Sequence, residues 1–123
     1  MLPTLKVGQV IKVRPIGSDN HVGRGDIIVF KAPAGSDPGI DDLVKRVIGL
    51  PGETISAHGG HIYVDGKQLS EPYLPEGTVT TNFSPVTLSP AHHWLMGDNR
   101  GNSKDSRVFG PISRARITGL VED

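Results

Sequence analysis

The sequence predicts an all-β domain of two packed antiparallel sheets with little helix. Sixteen glycines and ten prolines are spread along its 123 residues, which leaves little room for helices of about ten residues or more. Apolar residues recur in short runs, several with the alternation of a half-buried strand. Residues 62–64 and 67–69 flank Asp65-Gly66, the strongest hairpin signal in the chain. No repeat, low-complexity tract or linker divides it, so residues 1–123 read as one domain, able to bury roughly two thirds of its unfolded surface.

In order, residues 9–14 alternate Val10, Ile11 and Val13 with Lys12 and Arg14 and predict a first strand. A polar loop through Ser18, Asp19, Asn20 and His21 follows. Residues 26–30 form a continuous apolar run of strand length, which predicts cover on both faces. Residues 32–41, with Pro33, Gly35, Pro38 and Gly39, read as a loop leading into a strand over 43–48 that Pro51-Gly52 ends. Residues 54–57 are a short strand, and the hairpin comes next. Pro72, Pro75, Gly77, Pro85 and Pro90 mark an irregular excursion, with an edge strand expected over 79–83. A strand over 93–96 feeds the polar block 97–107, and residues 116–121 close the domain as a final strand.

Composition excludes several classes. Thirteen basic and thirteen acidic residues cancel, and only 5% of the residues are aromatic, which argues against a nucleic-acid surface. Without cysteine there is no disulfide, thiol catalysis or cysteine-bound zinc. The five histidines lack metal-ligand spacing, and no Gly-x-Ser-x-Gly occurs, so neither a metal nor a Ser-His-Asp triad is expected. No cofactor cradle is present. Apolar runs stay far below the roughly 18 residues of a membrane span and no signal-peptide pattern opens the chain, so it reads as a soluble domain.

The strand over 43–48 organises the rest. Its period of two puts Leu43, Lys45 and Val47 on one face and Val44, Arg46 and Ile48 on the other, a long cation between apolar neighbours on each. Both cations can snorkel, stems on apolar surface and heads in water. The other reading uses their difference: arginine stays charged almost anywhere, whereas a lysine held among apolar side chains can lose its proton. A free lysine of pKa about 10.4 is neutral only about 0.04% of the time at pH 7, and lowering that pKa by about three units costs the charged form roughly 4 kcal/mol, within what burial imposes. A neutral amine is a competent base for a hydroxyl nucleophile. In the polar block, Asp105 and Arg107 stand two apart and can pair, while Asp98, Asn99, Asn102 and Ser103 can brace a tight turn. Such a loop is either a solvated turn or a platform holding Ser103 or Ser106 against an amine.

These residues resemble type I signal peptidases, membrane-bound serine proteases with a Ser-Lys dyad. Residues 1–5 resemble the end of the nucleophile box Ser-Met-x-Pro-Thr-Leu; residues 25–30 the Gly-Asp-hydrophobic strand; residues 43–53 the box of the lysine base; and residues 97–107 the motif Gly-Asp-Asn-Arg-Asp-Asn-Ser-x-Asp-Ser-Arg. Four blocks in order over nearly the whole chain make a specific match. The resemblance implies the β fold shared by signal peptidases and repressor-cleavage domains. It implies Lys45 as general base, Ser103 orienting its amine, and Asp98, Asp105, Arg107 and Arg46 bracing the loop. Signal peptides of exported preproteins are the implied partners, added as a strand along residues 42–45. Met1, Leu5, Val29, Asp42, Leu43 and Val44 would contact them, with small residues at the first and third positions before the scissile bond entering shallow pockets. The full-length protein is expected in the plasma membrane, its catalytic domain on the extracytoplasmic side.

The sequence departs from the motif in three ways. The motif's serine falls immediately before Met1, outside the chain, together with the oxyanion-hole groups, so this polypeptide is expected to form no acyl-enzyme. Gly101 replaces an aspartate, which would loosen the turn. The family's membrane anchor is not in the chain. Two other readings stand beside this one: a non-catalytic peptide-binding β domain, and a self-cleaving repressor-type Ser-Lys domain. The latter requires a scissile Ala-Gly upstream of the serine, whereas Ala34-Gly35 lies after the nucleophile box.

Overall fold

The computed structural model describes residues 1, 3–5, 10–17, 20–34 and 39–122. The strands are β1 (Lys12–Pro15), β2 (Ile27–Lys31), β3 (Asp42–Gly49), β4 (Thr54–His58), β5 (His61–Val64), β6 (Lys67–Gln68), β7 (Phe83–Thr87), β8 (His92–Met96), β9 (Ile112–Ser113) and β10 (Ile117–Glu122). One turn of α-helix, α1 (Ser106–Phe109), and a 3-10 turn over Arg114–Arg116 complete the elements. The domain is all-β, as its glycine and proline punctuation predicts. One antiparallel sheet has six strands in the order β1-β10-β2-β3-β8-β9, and the other has four in the order β6-β5-β4-β7.

Alternation in β3 and β8 divides the interior in two. Val47 and Leu95 join Ile28, Phe30, Ile112 and Ile117 in one cluster, with Leu43 packed against it. Ile48, Trp94 and Met96 face the other way and pack with Ile55, Ile62 and Leu88, tying the large sheet to the small one. The β3–β8 pair is therefore covered on both sides, and its irregularity falls at Gly49, where the register shifts between Val47 and Gly49. A Cβ at Gly49 would lie 2.7 Å from Ile55 Cγ1 and 2.8 Å from Leu88 Cδ1, so only glycine lets the second cluster close here.

The hairpin forms as the Asp65-Gly66 signal predicts. Both residues take positive φ, 50° and 83°, which suits a tight turn, and Asp65 Oδ1 accepts from the Thr54 N–H at 2.9 Å. Four expectations are corrected. The edge strand expected over 79–83 lies over Phe83–Thr87 instead, and Thr80 makes only an isolated bridge with Gly60. Pro85 fits inside β7 because β7 is an edge strand and the register shifts opposite it, so no ladder N–H is missed. Residues 26–30 are not covered on both faces: Ile28 and Phe30 are buried, but Ile27 and Val29 are half-buried on the side not filled by core. The first strand begins at Lys12, with Val10 and Ile11 outside it and Gln9 outside the described residues. Ser106 and Arg107, read as the end of the polar loop, open α1 with Asp105 as N-cap.

Ser18, Asp19, Gly35 and Pro38, which carried the two loop expectations, lie outside the described residues. The base of the second loop is closed by the Ala32 N–H on Asp41 O at 2.9 Å. Gly49→Ala is expected to lower stability by about 1–3 kcal/mol in urea unfolding, because the added methyl overpacks a filled core; an unchanged midpoint would contradict the packing at this bulge.

Candidate active site

β3 is paired unevenly. At Arg46 it is paired on both edges, with Ile27 of β2 and Met96 of β8, and beyond it Val47 bonds Gly25 and Asp26 on one side while β8 continues on the other. Residues 42–45 are paired through β2 alone, because the chain leaves the sheet after Met96 to make the 97–107 loop. Among the described residues that stretch of backbone is an open sheet edge, and Lys45 is its last residue.

Lys45 lies opposite the buried Ile28 in the ladder and is itself only 9% exposed. Its Nζ donates to Ser103 Oγ at 2.8 Å, across 58 positions of sequence. Burial lowers the proton affinity of the amine; Asp105 acts against this and Arg107 reinforces it. Of the two hydroxyls weighed in the loop, Ser103 meets the amine. Ser106 instead accepts the Leu95 N–H at 2.9 Å and anchors α1 to β8. Gly97 makes room for the contact: a Cβ there would overlap Ser103 and come within 3.4 Å of Lys45 Nζ.

Asp105 and Arg107 pair as their spacing suggests. Asp105 Oδ1 accepts from Arg107 Nε at 2.9 Å and Oδ2 from its terminal nitrogen at 2.8 Å, while Oδ2 also receives the Gly97 N–H at 3.0 Å. Burial alone raises the Asp105 pKa, but the hydrogen bonds and charge of Arg107 and the Gly97 N–H outweigh it and hold the carboxyl below its ordinary value. One strand position from Lys45, Arg46 turns to the opposite face and meets Asp98 with two bonds, 2.9 and 2.7 Å. A third reaches Gly25 O at 2.9 Å, and the guanidinium carbon lies 3.8 Å from the centre of the Tyr73 ring. Asp98 therefore binds Arg46 and the Thr4 hydroxyl, instead of capping its own turn. A Cβ at Gly101 would meet nothing within 4 Å, so the aspartate of the motif has room here.

The residues expected to contact a peptide divide between faces. Val29 and Val44 are direct cross-strand partners, and Leu5 lines a cleft with Ile27 of the same strand face. Leu43 packs on the other side, against the first core cluster. Asp42 forms an exposed ion pair with Lys31 at 3.4 Å at the outer end of the open edge. Met1 sits over the loop: its Sδ accepts the Asp98 N–H at 3.3 Å, and its amino group is lowered in proton affinity by burial and then by the Lys45 charge.

Sequence reasoning missed Glu71, Tyr73 and Thr4, which bind the loop and β3 from outside, and Arg100 within the loop, which Glu71 meets. Arg100 stands within the matched 97–107 block without an assigned role, and nothing in the spacing of the 70–80 excursion pairs it with that arginine. Among the described residues no group of three His, Asp or Glu side chains gathers as a metal site would require, and no helix is long and apolar enough to cross a membrane.

Comparison with protein families matches residues 1–122 to signal peptidase, peptidase S26. The chain is 39% identical to the probable signal peptidase I-1 of Synechocystis sp. over 125 residues, covering 97% of this chain and 63% of that protein. It is also 39% identical to signal peptidase I V of Bacillus subtilis over 137 residues, covering all of this chain and 79% of the relative. The crystal structure of a signal peptidase I from Enterococcus faecalis superposes with a TM-score of 0.71 at 30% identity, covering 84% of this chain and 98% of that one. Fold and these similarities agree: the chain belongs to the signal peptidase family, peptidase S26.

Proposed function

We propose that this domain carries the Ser-Lys chemistry by which signal peptides are removed from exported preproteins, in a full-length protein held at the plasma membrane with the domain on its extracytoplasmic side. The observation that carries the proposal is the 2.8 Å bond from a buried Lys45 amine to Ser103. By the motif match the nucleophilic serine belongs immediately before Met1, whose amino group is near enough to Lys45 to feel its charge. A neutral Lys45 takes the serine proton as the hydroxyl attacks the scissile carbonyl, then returns it to the leaving amine as the acyl-enzyme forms. The same amine activates the water that releases the product. Ser103 accepts one Lys45 hydrogen and so directs the amine's lone pair toward the serine. Asp98, Asp105, Arg107 and Arg46 hold the loop and strand that set this distance.

The substrate adds as a strand on the open edge at 42–45, where unpaired backbone groups await a partner. Val29, Val44 and Leu5 offer the apolar wall on one face of that edge, Met1 and Leu43 flank it, and Asp42 marks its outer end. A peptide seated there also keeps water from Lys45, so recognition and base activation reinforce one another.

Four measurements test this reading. A chain carrying serine before Met1 is expected to cleave a peptide with alanine at the first and third positions before the scissile bond, and the polypeptide beginning at Met1 is not. Lys45→Ala in the serine-bearing chain is expected to lower the rate by about 10³-fold or more, and retained cleavage would refute the base assignment. Because burial lowers the affinity of Lys45 for its proton, the rate is expected to rise with pH through a limb whose midpoint lies below the ordinary lysine value of about 10.4. A midpoint at the ordinary value would mean a solvated amine. Gly97→Ala, whose methyl displaces Ser103, is expected to reduce kcat by about 10–100-fold with the fold retained.

A further inference from the structure

The connection between β6 and β7 crosses to the large sheet at Glu71 and Tyr73, and both side chains end on the two arginines that hold the Lys45 neighbourhood. The Glu71 carboxylate accepts from both terminal nitrogens of Arg100 and from the Tyr73 hydroxyl, the latter at 2.8 Å. Arg100, its side chain fully buried, donates Nε to Gly97 O at 2.9 Å and a terminal nitrogen to Thr80 Oγ1 at 3.0 Å. Its own carbonyl accepts from Arg107 at 2.9 Å, and Arg107 pairs with Asp105, which receives the Gly97 N–H. Gly97 is thus gripped through its carbonyl by Arg100 and through its amide by Asp105, while its missing side chain leaves the space that Ser103 occupies. On the other branch, the Tyr73 ring lies under the Arg46 guanidinium, which bonds Asp98 next to Gly97.

We propose that Glu71 and Tyr73 are positioning residues of the Ser-Lys site, a strap from the small-sheet side that sets Gly97 and β3 so that Ser103 meets the Lys45 amine in a water-poor setting. The inference rests on the reading of Lys45 as general base. Glu71 balances the charge of a buried Arg100; without it, that guanidinium has cause to swing toward water and release Gly97 O. Tyr73 covers Arg46 and keeps its Asp98 bonds dry. Neither residue touches Lys45 or Ser103, so their effect runs through the loop backbone. The charged groups facing Lys45 itself are Asp105, Arg107 and the Met1 amino group, and the strap leaves all three unchanged in charge.

The test has two readouts. In the chain as it stands, the Lys45 Cε signal, identified by its loss in Lys45→Met, is followed by NMR as pH is raised. In the serine-bearing chain, kcat and KM for the alanine-containing peptide are measured across pH. Glu71→Gln and Tyr73→Leu are each expected to raise the Lys45 midpoint by about one pH unit as water reaches the amine, and to shift the acid limb of kcat upward equally. They are expected to lower kcat about 10–100-fold at neutral pH with KM within about twofold, since the loop moves but the peptide edge does not. Glu76→Gln, an exposed change in the same excursion, is expected to alter neither. Folded Glu71→Gln and Tyr73→Leu proteins with the original midpoint and kcat would overturn the proposal. If Glu71→Gln fails to fold, Tyr73→Leu decides, and an unchanged midpoint there overturns it as well. A serine-bearing chain that never cleaves the peptide counts against the protease reading, while the Lys45 titration still judges the strap.

Discussion

Everything in this domain turns on an ammonium group placed where water is scarce and a hydroxyl is 2.8 Å away. Each unit by which burial lowers the pKa of Lys45 disfavours its charged form by about 1.4 kcal/mol, and the fold must supply that from elsewhere. It does so with two apolar clusters on opposite faces of β3 and β8, so the strand bearing the lysine is fastened on both sides. A strand held by one face alone would have freedom to twist its lysine toward solvent.

Lys45 and Arg46 are neighbours in sequence and opposites in electrostatics. The buried Arg46 charge is matched by two bonds to Asp98 and a third to Gly25 O. Lys45 meets a neutral hydroxyl, and the carboxylate in its surroundings, Asp105, is engaged by Arg107 and Gly97. Alternation along one strand separates the two environments by a single residue. An arginine at position 45 would remain protonated there and could not act as a base.

Gly97 is the point at which these constraints meet. It follows the last residue of β8, so the edge at 42–45 has no partner on that side among the described residues. Its amide and carbonyl are bound by Asp105 and Arg100, and its lack of a side chain admits Ser103. The open edge and the Lys45–Ser103 contact therefore arise from one feature, the departure of a strand at a glycine.

Much of this was legible in the chain itself. Alternation around Lys45 and Arg46, the hairpin at Asp65-Gly66, and the Asp105–Arg107 spacing are local signals, and each produced the local structure it foretold. The edge strand was misread because Pro85 argues against a strand unless the register shift opposite it is known. The short β9 gave no signal, having too few residues for a period to emerge. The choice of Ser103 over Ser106, and the reach of Glu71 to Arg100 across 29 positions, were decided only by how the two sheets pack. Periodicity and turn chemistry depend on neighbours and can be read along the chain. Which distant polar groups share a buried space depends on sheet register and on where strands leave the sheet, and that exists only once the chain has folded.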